Sequence, residues 1–151
     1  MRWFLTACLW VHVAAASWWV LAAIIIALAA AVAGGESAEG DEFISRVVPG
    51  FNRANAAAAA VLLLTGAVNV YSAARRRNFA LSADFTRMLE LKLLLYIGMV
   101  AALALQFRME RATRFGSGRR ASDAGRLAAL SALVAMAGAG AMLLGVWLAG
   151  E

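Results

Sequence analysis

The chain has 151 residues, of which 64% are hydrophobic, and its formal net charge is +5. A soluble domain carries closer to half apolar residues and no long uncharged runs, so this composition excludes an ordinary soluble protein. The positive charge comes almost wholly from arginines in the loops, which favours contact with anionic lipid over nucleic acid. The single cysteine, Cys8, excludes an internal disulfide.

Four apolar runs approach or exceed the roughly 20 helical residues that span about 30 Å of hydrocarbon. The first run is far longer than the roughly 7–15 apolar residues of a signal peptide, so we interpret it as a retained helix. Short connections favour antiparallel neighbours. The sequence therefore predicts one all-α integral membrane domain over 1–151, an up-down-up-down four-helix bundle. Its helices are predicted over about 3–33, 54–74, 85–107 and 127–149.

The connections bear on orientation in the membrane. Residues 34–52 are predicted as a loop, because Pro49-Gly50 is a turn signal. The side holding the first and third loops carries more arginine than the side holding both termini. The positive-inside rule then predicts a bacterial-type inner membrane protein with both termini on the non-cytoplasmic side. The triplet Arg75-Arg76-Arg77 in the second loop favours the opposite orientation.

Polar residues inside the apolar runs are the candidates for a site. Lys92 lies within the third run, His12 within the first and Asn69 near the end of the second. Because the second helix runs opposite to the other two, a rise of about 1.5 Å per residue predicts all three in the same half of the membrane. Polar groups in hydrocarbon need partners, and one shared cluster would satisfy them together.

Neighbouring residues extend this candidate cluster. Cys8 lies four residues before His12 and shares its helix face. Met88 and Met99 lie on a stripe with Lys92. Each of these residues also has a purely structural interpretation. His12 and Asn69 would form hydrogen bonds between helices, and Lys92 would extend its ammonium group to the lipid headgroups. Cys8 and the two methionines would fill space between helices. Small residues are candidates for the contact faces between helices: Ala132, Ala135, Ala139 and Met142 on the fourth helix, and Ala56, Ala59 or Ala60, and Gly66 on the second.

Several short motifs follow one another in a distinctive order. They are His12 with Trp19 seven residues on, then Leu64-Thr65-Gly66-Ala67-Val68-Asn69, Leu91-Lys92-Leu93-Leu94-Leu95 and Gln106-Phe107-Arg108. In these motifs the chain resembles the membrane domain of the copper resistance D family. It is also similar to the related His/Lys-type membrane protoporphyrinogen oxidases. The resemblance covers the first three predicted helices, and the fourth is generic.

The resemblance implies a binding or transport role for copper or heme b at His12, Lys92 and Asn69. Copper(I) prefers thiolate and thioether ligands and accepts imidazole, so the candidate metal ligands are His12, Cys8, Met88 and Met99. A b-type heme would take one axial ligand from His12 and a second from Met, Lys or His12 of a second copy. In a protoporphyrinogen-oxidase-like site, Lys92 would bind a porphyrin propionate or shuttle a proton.

Three classes of function therefore stay open. The first is copper handling, the second is a heme-binding redox protein or porphyrinogen oxidase, and the third is a structural accessory subunit without a cofactor. We expect a protein that is not an enzyme, or, if it is one, a heme-dependent oxidoreductase. The expected partners are the lipid bilayer and either further copies of the chain or a larger membrane complex, with no nucleic acid.

Overall fold

A computed structural model describes residues 2–33, 38–115 and 120–150. These residues form four helices and no strand: α1 (Arg2–Ala33), α2 (Ala38–Arg76), α3 (Ala83–Phe115) and α4 (Arg120–Gly150). Each helix contains a stretch long and apolar enough to cross a membrane: Trp3–Val32, Arg46–Arg76, Ala83–Ala112 and Ala124–Trp147. The predicted class, an all-α membrane four-helix bundle, is confirmed.

Three of the helices, α2, α3 and α4, extend well beyond their predicted ends, and α4 begins at Arg120 instead of residue 127. Helix α2 begins at Ala38 and runs through Pro49, so the loop predicted over 34–52 is wrong from residue 38 onward. Its 39 residues rise about 58 Å, nearly twice the thickness of the hydrocarbon core. An ion pair between Arg46 and Glu42, one turn apart at 2.6 Å, supports the polar extension. Helix α3 likewise continues to Phe115.

The connection between α2 and α3 is a tight, hydrogen-bonded reversal. Asn78 and Phe79 have φ angles of 50° and 60°, in the left-handed region. The Phe79 N–H donates to the Ala74 carbonyl at 2.8 Å, which closes α2 in a Schellman motif. The Ser82 hydroxyl accepts from the Phe85 N–H at 3.2 Å and caps the start of α3. These local bonds set α2 and α3 antiparallel.

The helices follow one another around the bundle. Helix α1 packs along α2 and α4, and α3 packs on α4 and more lightly on α2, so α1 and α3 face each other across the centre. There the rings of Trp19 and Tyr96 meet edge-on, with centroids 6.2 Å apart. The central core is apolar and is formed by Trp19, Ala23, Ala59, Leu62, Met99, Ala102, Leu103 and Val134.

A regular seam joins α3 to α4. It pairs three long side chains of α3 with three small residues of α4: Lys92 with Gly145, Met99 with Gly138, and Gln106 with Ser131. Successive pairs are seven residues apart, as in a coiled-coil seam. The buried face of α4 thus contains Ser131 and Gly138, whereas Ala132 and Ala139 are exposed. Of the predicted contact residues, Ala135 packs against the central core, so the prediction was only partly wrong.

Candidate functional site

His12 lies in the N-terminal half of α1, and its side chain hydrogen-bonds to α2. Its Nδ1 atom is 2.8 Å from Thr65 Oγ1. The Thr65 hydroxyl donates its single hydrogen to the Val61 carbonyl at 2.7 Å, so its oxygen accepts from His12. Nδ1 therefore carries the imidazole hydrogen, and Nε2 keeps a lone pair for a ligand.

Gly66 gives the imidazole its place against α2. A Cβ atom on Gly66 would lie 3.5 Å from His12 Cε1, in ordinary van der Waals contact. The ring thus lies over the backbone of α2 beside the hydroxyl that orients it. A side chain longer than alanine at position 66 would push the ring away from Thr65.

Lys92 is half-buried on α3, with its ammonium group against α4. A Cβ atom on Gly145 would lie only 2.9 Å from Lys92 Nζ, so the missing side chain of this glycine provides the space that the ammonium uses. Among the residues that the structure describes, no carboxylate forms an ion pair with Lys92. A cation inside a membrane span is costly and usually faces a partner or a polar cavity.

His12 and Lys92 lie at the same depth in the bundle. Val20 on α1 and Met99 on α3 both approach Gly138 of α4, which sets the level of the two parallel helices. Counting back along each helix from these contacts brings His12 and Lys92 to within about one residue rise, about 1.5 Å, along the axis.

Three further predicted site residues each lie one helical turn from His12, Thr65 or Lys92. Asn69 lies one turn from Thr65, Cys8 one turn before His12 and Met88 one turn before Lys92, and all three are half-buried. Each thus shares a helix face with a member of the cluster. These neighbours keep the half of the bundle around His12 richer in polar and sulfur-containing side chains than its centre.

Met99 occupies a different place. It is buried in the central core against Gly138, seven residues or about 10 Å beyond the level of Lys92. The structure therefore does not bring Met99 to His12. Among the described residues, no three His, Cys, Asp or Glu side chains come together as a metal-binding group.

Sequence reasoning missed Gly145 and gave Gly66, which stood in the quoted motif, no role beside His12. Each lies where a side chain of the cluster meets a neighbouring helix, and both make room for it. Thr65 stood in the motif that carried the resemblance, but its role as the acceptor for His12 becomes visible only when α1 and α2 are packed together. A glycine in an apolar helix gives no signal of which side chain it faces.

A second polar layer lies nearer the other end of the bundle. Gln106 Nε2 donates to Ser131 Oγ at 3.0 Å, and Asn52 Nδ2 donates to Glu110 Oε2 at 3.3 Å. The Oδ1 atoms of Asn52 and Asn55 are buried and accept no hydrogen bond from any residue that the structure describes. The apolar core around Trp19 separates this layer from the His12 and Lys92 layer.

No protein-family model matches this chain, and neither a curated protein nor a solved structure is similar enough to it to count as a match. The resemblance to the copper resistance D family therefore stays a prediction that rests on the sequence motifs.

Proposed function

We propose that this protein binds heme or a related porphyrin inside the membrane, with His12 as the ligand to the metal and Lys92 as the partner of a porphyrin carboxylate. The hydrogen bond from His12 Nδ1 to Thr65 is the observation that carries the proposal. Metal-ligating histidines almost always donate their other ring N–H to a fixed acceptor, which orients the ring. Thr65 is such an acceptor, and it leaves Nε2 for the metal.

The residues present fit a porphyrin in three respects. A porphyrin is flat and apolar with carboxylates at its edge, and the cluster offers apolar helix faces, one imidazole and one ammonium without an acidic partner among the described residues. His12 would hold the metal, and a methionine or His12 of a second copy of the chain would supply a further ligand, which leaves Lys92 for the carboxylate. When bound, heme would supply one-electron redox chemistry.

Copper binding is the second candidate, favoured by one specific observation. Cys8 has a free, half-buried thiol one turn from His12, and thiolate with imidazole suits copper(I). Two features favour heme over a copper path through the bundle. Met99 lies outside the cluster, and the central apolar core interrupts the polar side chains between the two layers.

The first test is the absorbance spectrum of the purified protein, oxidised and then reduced with dithionite, with metal analysis on the same sample. We expect a Soret band that shifts on reduction and disappears in His12→Ala. Full heme and metal content in purified His12→Ala would overturn the assignment. A colourless protein with stoichiometric copper, lost in Cys8→Ser, would select the copper candidate. A protein with neither would favour an accessory subunit, to be pursued through co-purifying partners.

Thr65→Val sharpens this test, because it removes the acceptor and keeps the shape of the side chain. Loss of a partner behind a metal ligand typically weakens metal binding about 10–100-fold. Thr86→Val is a matched control: Thr86 also donates to the carbonyl four residues before it, at 3.1 Å, but is exposed and lies outside the cluster. We expect weaker ligand binding in Thr65→Val only. Equal behaviour of the two variants would remove the role given to Thr65.

Orientation is a separate part of the proposal. We infer a bacterial-type inner membrane with both termini on its non-cytoplasmic side. Arg108, Arg111 and Arg126, which are exposed near the facing ends of α3 and α4, support this orientation by the positive-inside rule. Reporter fusions at the C-terminus that are active only outside the cytoplasm would agree with it, and the opposite reporter pattern would reverse it.

A further inference from the structure

An open groove runs between α3 and α4 on the outside of the bundle. Its volume is about 500 Å³, and apolar side chains that include Leu105, Leu130 and Leu133 line most of it. Arg108 from α3 and Arg126 from α4 complete the lining. The groove therefore combines a mainly apolar wall with two cationic side chains contributed by two different helices.

The α3–α4 seam gives the depth of each part of the groove. Gln106 contacts Ser131, so Arg108 is level with Ala129, and Arg126 lies about 4.5 Å further towards the connection between these helices. Leu105 and Leu133 lie on the other side, towards the centre of the bundle. The two arginines thus share one end of the groove, within about one helical turn, and its apolar part runs deeper into the membrane span.

No residue that the structure describes neutralises the charge of either arginine. Both are exposed, and neither forms an ion pair with a residue that the structure describes. The carboxylate closest along α3, that of Glu110, accepts a hydrogen bond from Asn52 of α2. Two guanidinium groups at one end of an apolar groove are complementary to a molecule with an anionic head and a hydrocarbon tail.

We propose that this groove binds an anionic phospholipid, with its phosphate between Arg108 and Arg126 and an acyl chain along Leu105 and Leu133. Arginine suits this role because its planar fork pairs with phosphate oxygens through two parallel hydrogen bonds. Basic pockets between membrane helices bind anionic headgroups by the same physics. A zwitterionic headgroup would bring its own cation next to two guanidinium groups, so phosphatidylglycerol is favoured over phosphatidylcholine.

The experiment compares lipid retention by two double variants of the full chain. Arg108→Gln with Arg126→Gln removes both charges of the groove. Arg111→Gln with Arg53→Gln is the control, because it removes two exposed arginines near the same end of the bundle that do not line the groove. Each protein is purified in detergent and titrated with phosphatidylglycerol or phosphatidylcholine, and bound lipid is counted by native mass spectrometry.

We expect phosphatidylglycerol to bind the groove variant about 30-fold more weakly than the parent protein, and the control to keep most of its affinity. Equal losses in both double variants would overturn the proposal in favour of diffuse charge attraction. A parent protein that does not prefer phosphatidylglycerol to phosphatidylcholine would overturn it as well.

Leu133→Trp tests the apolar half of the groove with both charges in place. Leu133 is 55% exposed, so a larger side chain here fills the groove and not the core. We expect weaker binding of phosphatidylglycerol with an unchanged unfolding midpoint. Unchanged binding in this variant would contradict the proposed position of the acyl chain, even if the arginine variant failed to fold.

Discussion

Gly138 lies at the closest approach of three helices, and filling it tests how they are packed. A Cβ atom on Gly138 would lie 2.5 Å from Val20 Cγ2 and 3.2 Å from Met99 Cε. Carbon atoms in favourable contact are about 3.5–4.0 Å apart, so Gly138→Ala requires a shift of about 1 Å between α1 and α4. The methionine can adjust its three rotatable bonds, whereas a β-branched valine in a helix keeps one preferred rotamer.

The magnitude follows from two opposing effects. Replacing glycine by alanine inside a helix stabilises it by about 1 kcal/mol. Overpacking a close contact costs about 1–3 kcal/mol. Gly140→Ala is the matched control, because a Cβ atom there would meet only Leu95 Cδ1, at 3.9 Å. The two alanine variants share the helix gain, so we expect Gly138→Ala to be about 1–3 kcal/mol less stable than Gly140→Ala.

The assay is unfolding of the purified protein in detergent micelles, followed by circular dichroism as sodium dodecyl sulfate is added or temperature is raised. Val20→Ala in the Gly138→Ala background should recover at least half of the difference, and the same change in the parent should not stabilise. If Gly138→Ala and Gly140→Ala unfold at the same midpoint, Val20 does not lie against Gly138. The shared depth of His12 and Lys92, which was counted from that contact, would then lose its basis.

Three further predictions address the polar residues and the helix connection. Lys92→Met should raise the free energy of unfolding, by at most about 2.5–3.5 kcal/mol, because it removes a half-buried cation. The same variant should bind porphyrin more weakly, and an unchanged porphyrin affinity would leave Lys92 as a snorkelling residue. Gln106→Leu and Ser131→Ala should each destabilise, and a double-mutant cycle should give a coupling of about 0.6 kcal/mol in detergent unfolding; purely additive effects would contradict their hydrogen bond. Asn78→Val should lower stability by about 1–2 kcal/mol, because a β-branched residue resists the left-handed conformation, and no loss relative to Asn78→Ser would contradict the Schellman geometry.

The membrane spans could be predicted from the sequence because a bilayer requires long runs of apolar side chains, and hydropathy measures such runs. The predicted range 54–74 lies inside α2, but the helix itself begins at Ala38. Its first turns are polar, and Glu42 forms an ion pair with Arg46 there. Hydropathy records where apolar side chains end, not where backbone hydrogen bonds end. Pro49-Gly50, a turn signal in a loop, proved compatible with a continuing helix.

The contact face of α4 could not be predicted from α4 alone. Alanine and glycine are so frequent there that several stripes of small residues look equivalent. Of the predicted residues, Ala135 packs against the core, whereas Ala132 and Ala139 are exposed beside the buried Ser131 and Gly138. The deciding information lies in another helix. The spacing of seven between Lys92, Met99 and Gln106 matches the spacing between Gly145, Gly138 and Ser131, read in the opposite direction. Matching the two patterns would have selected the correct face.

The α3–α4 seam also links packing to the candidate site. Of its three pairs, the central one is apolar and closes the bundle around Met99 and Gly138, while the outer two carry Lys92 and Gln106. Gln106 is satisfied by Ser131, a partner with a side chain that can hydrogen-bond. Lys92 faces Gly145, which offers space and no side-chain acceptor. The two ends of the seam therefore differ. One end holds a hydrogen-bonded amide, and the other holds an ammonium that forms no ion pair with any described residue, level with His12 Nε2. Packing alone would be served by an apolar residue at position 92, and a porphyrin carboxylate at Lys92, as we propose above, would account for this asymmetry.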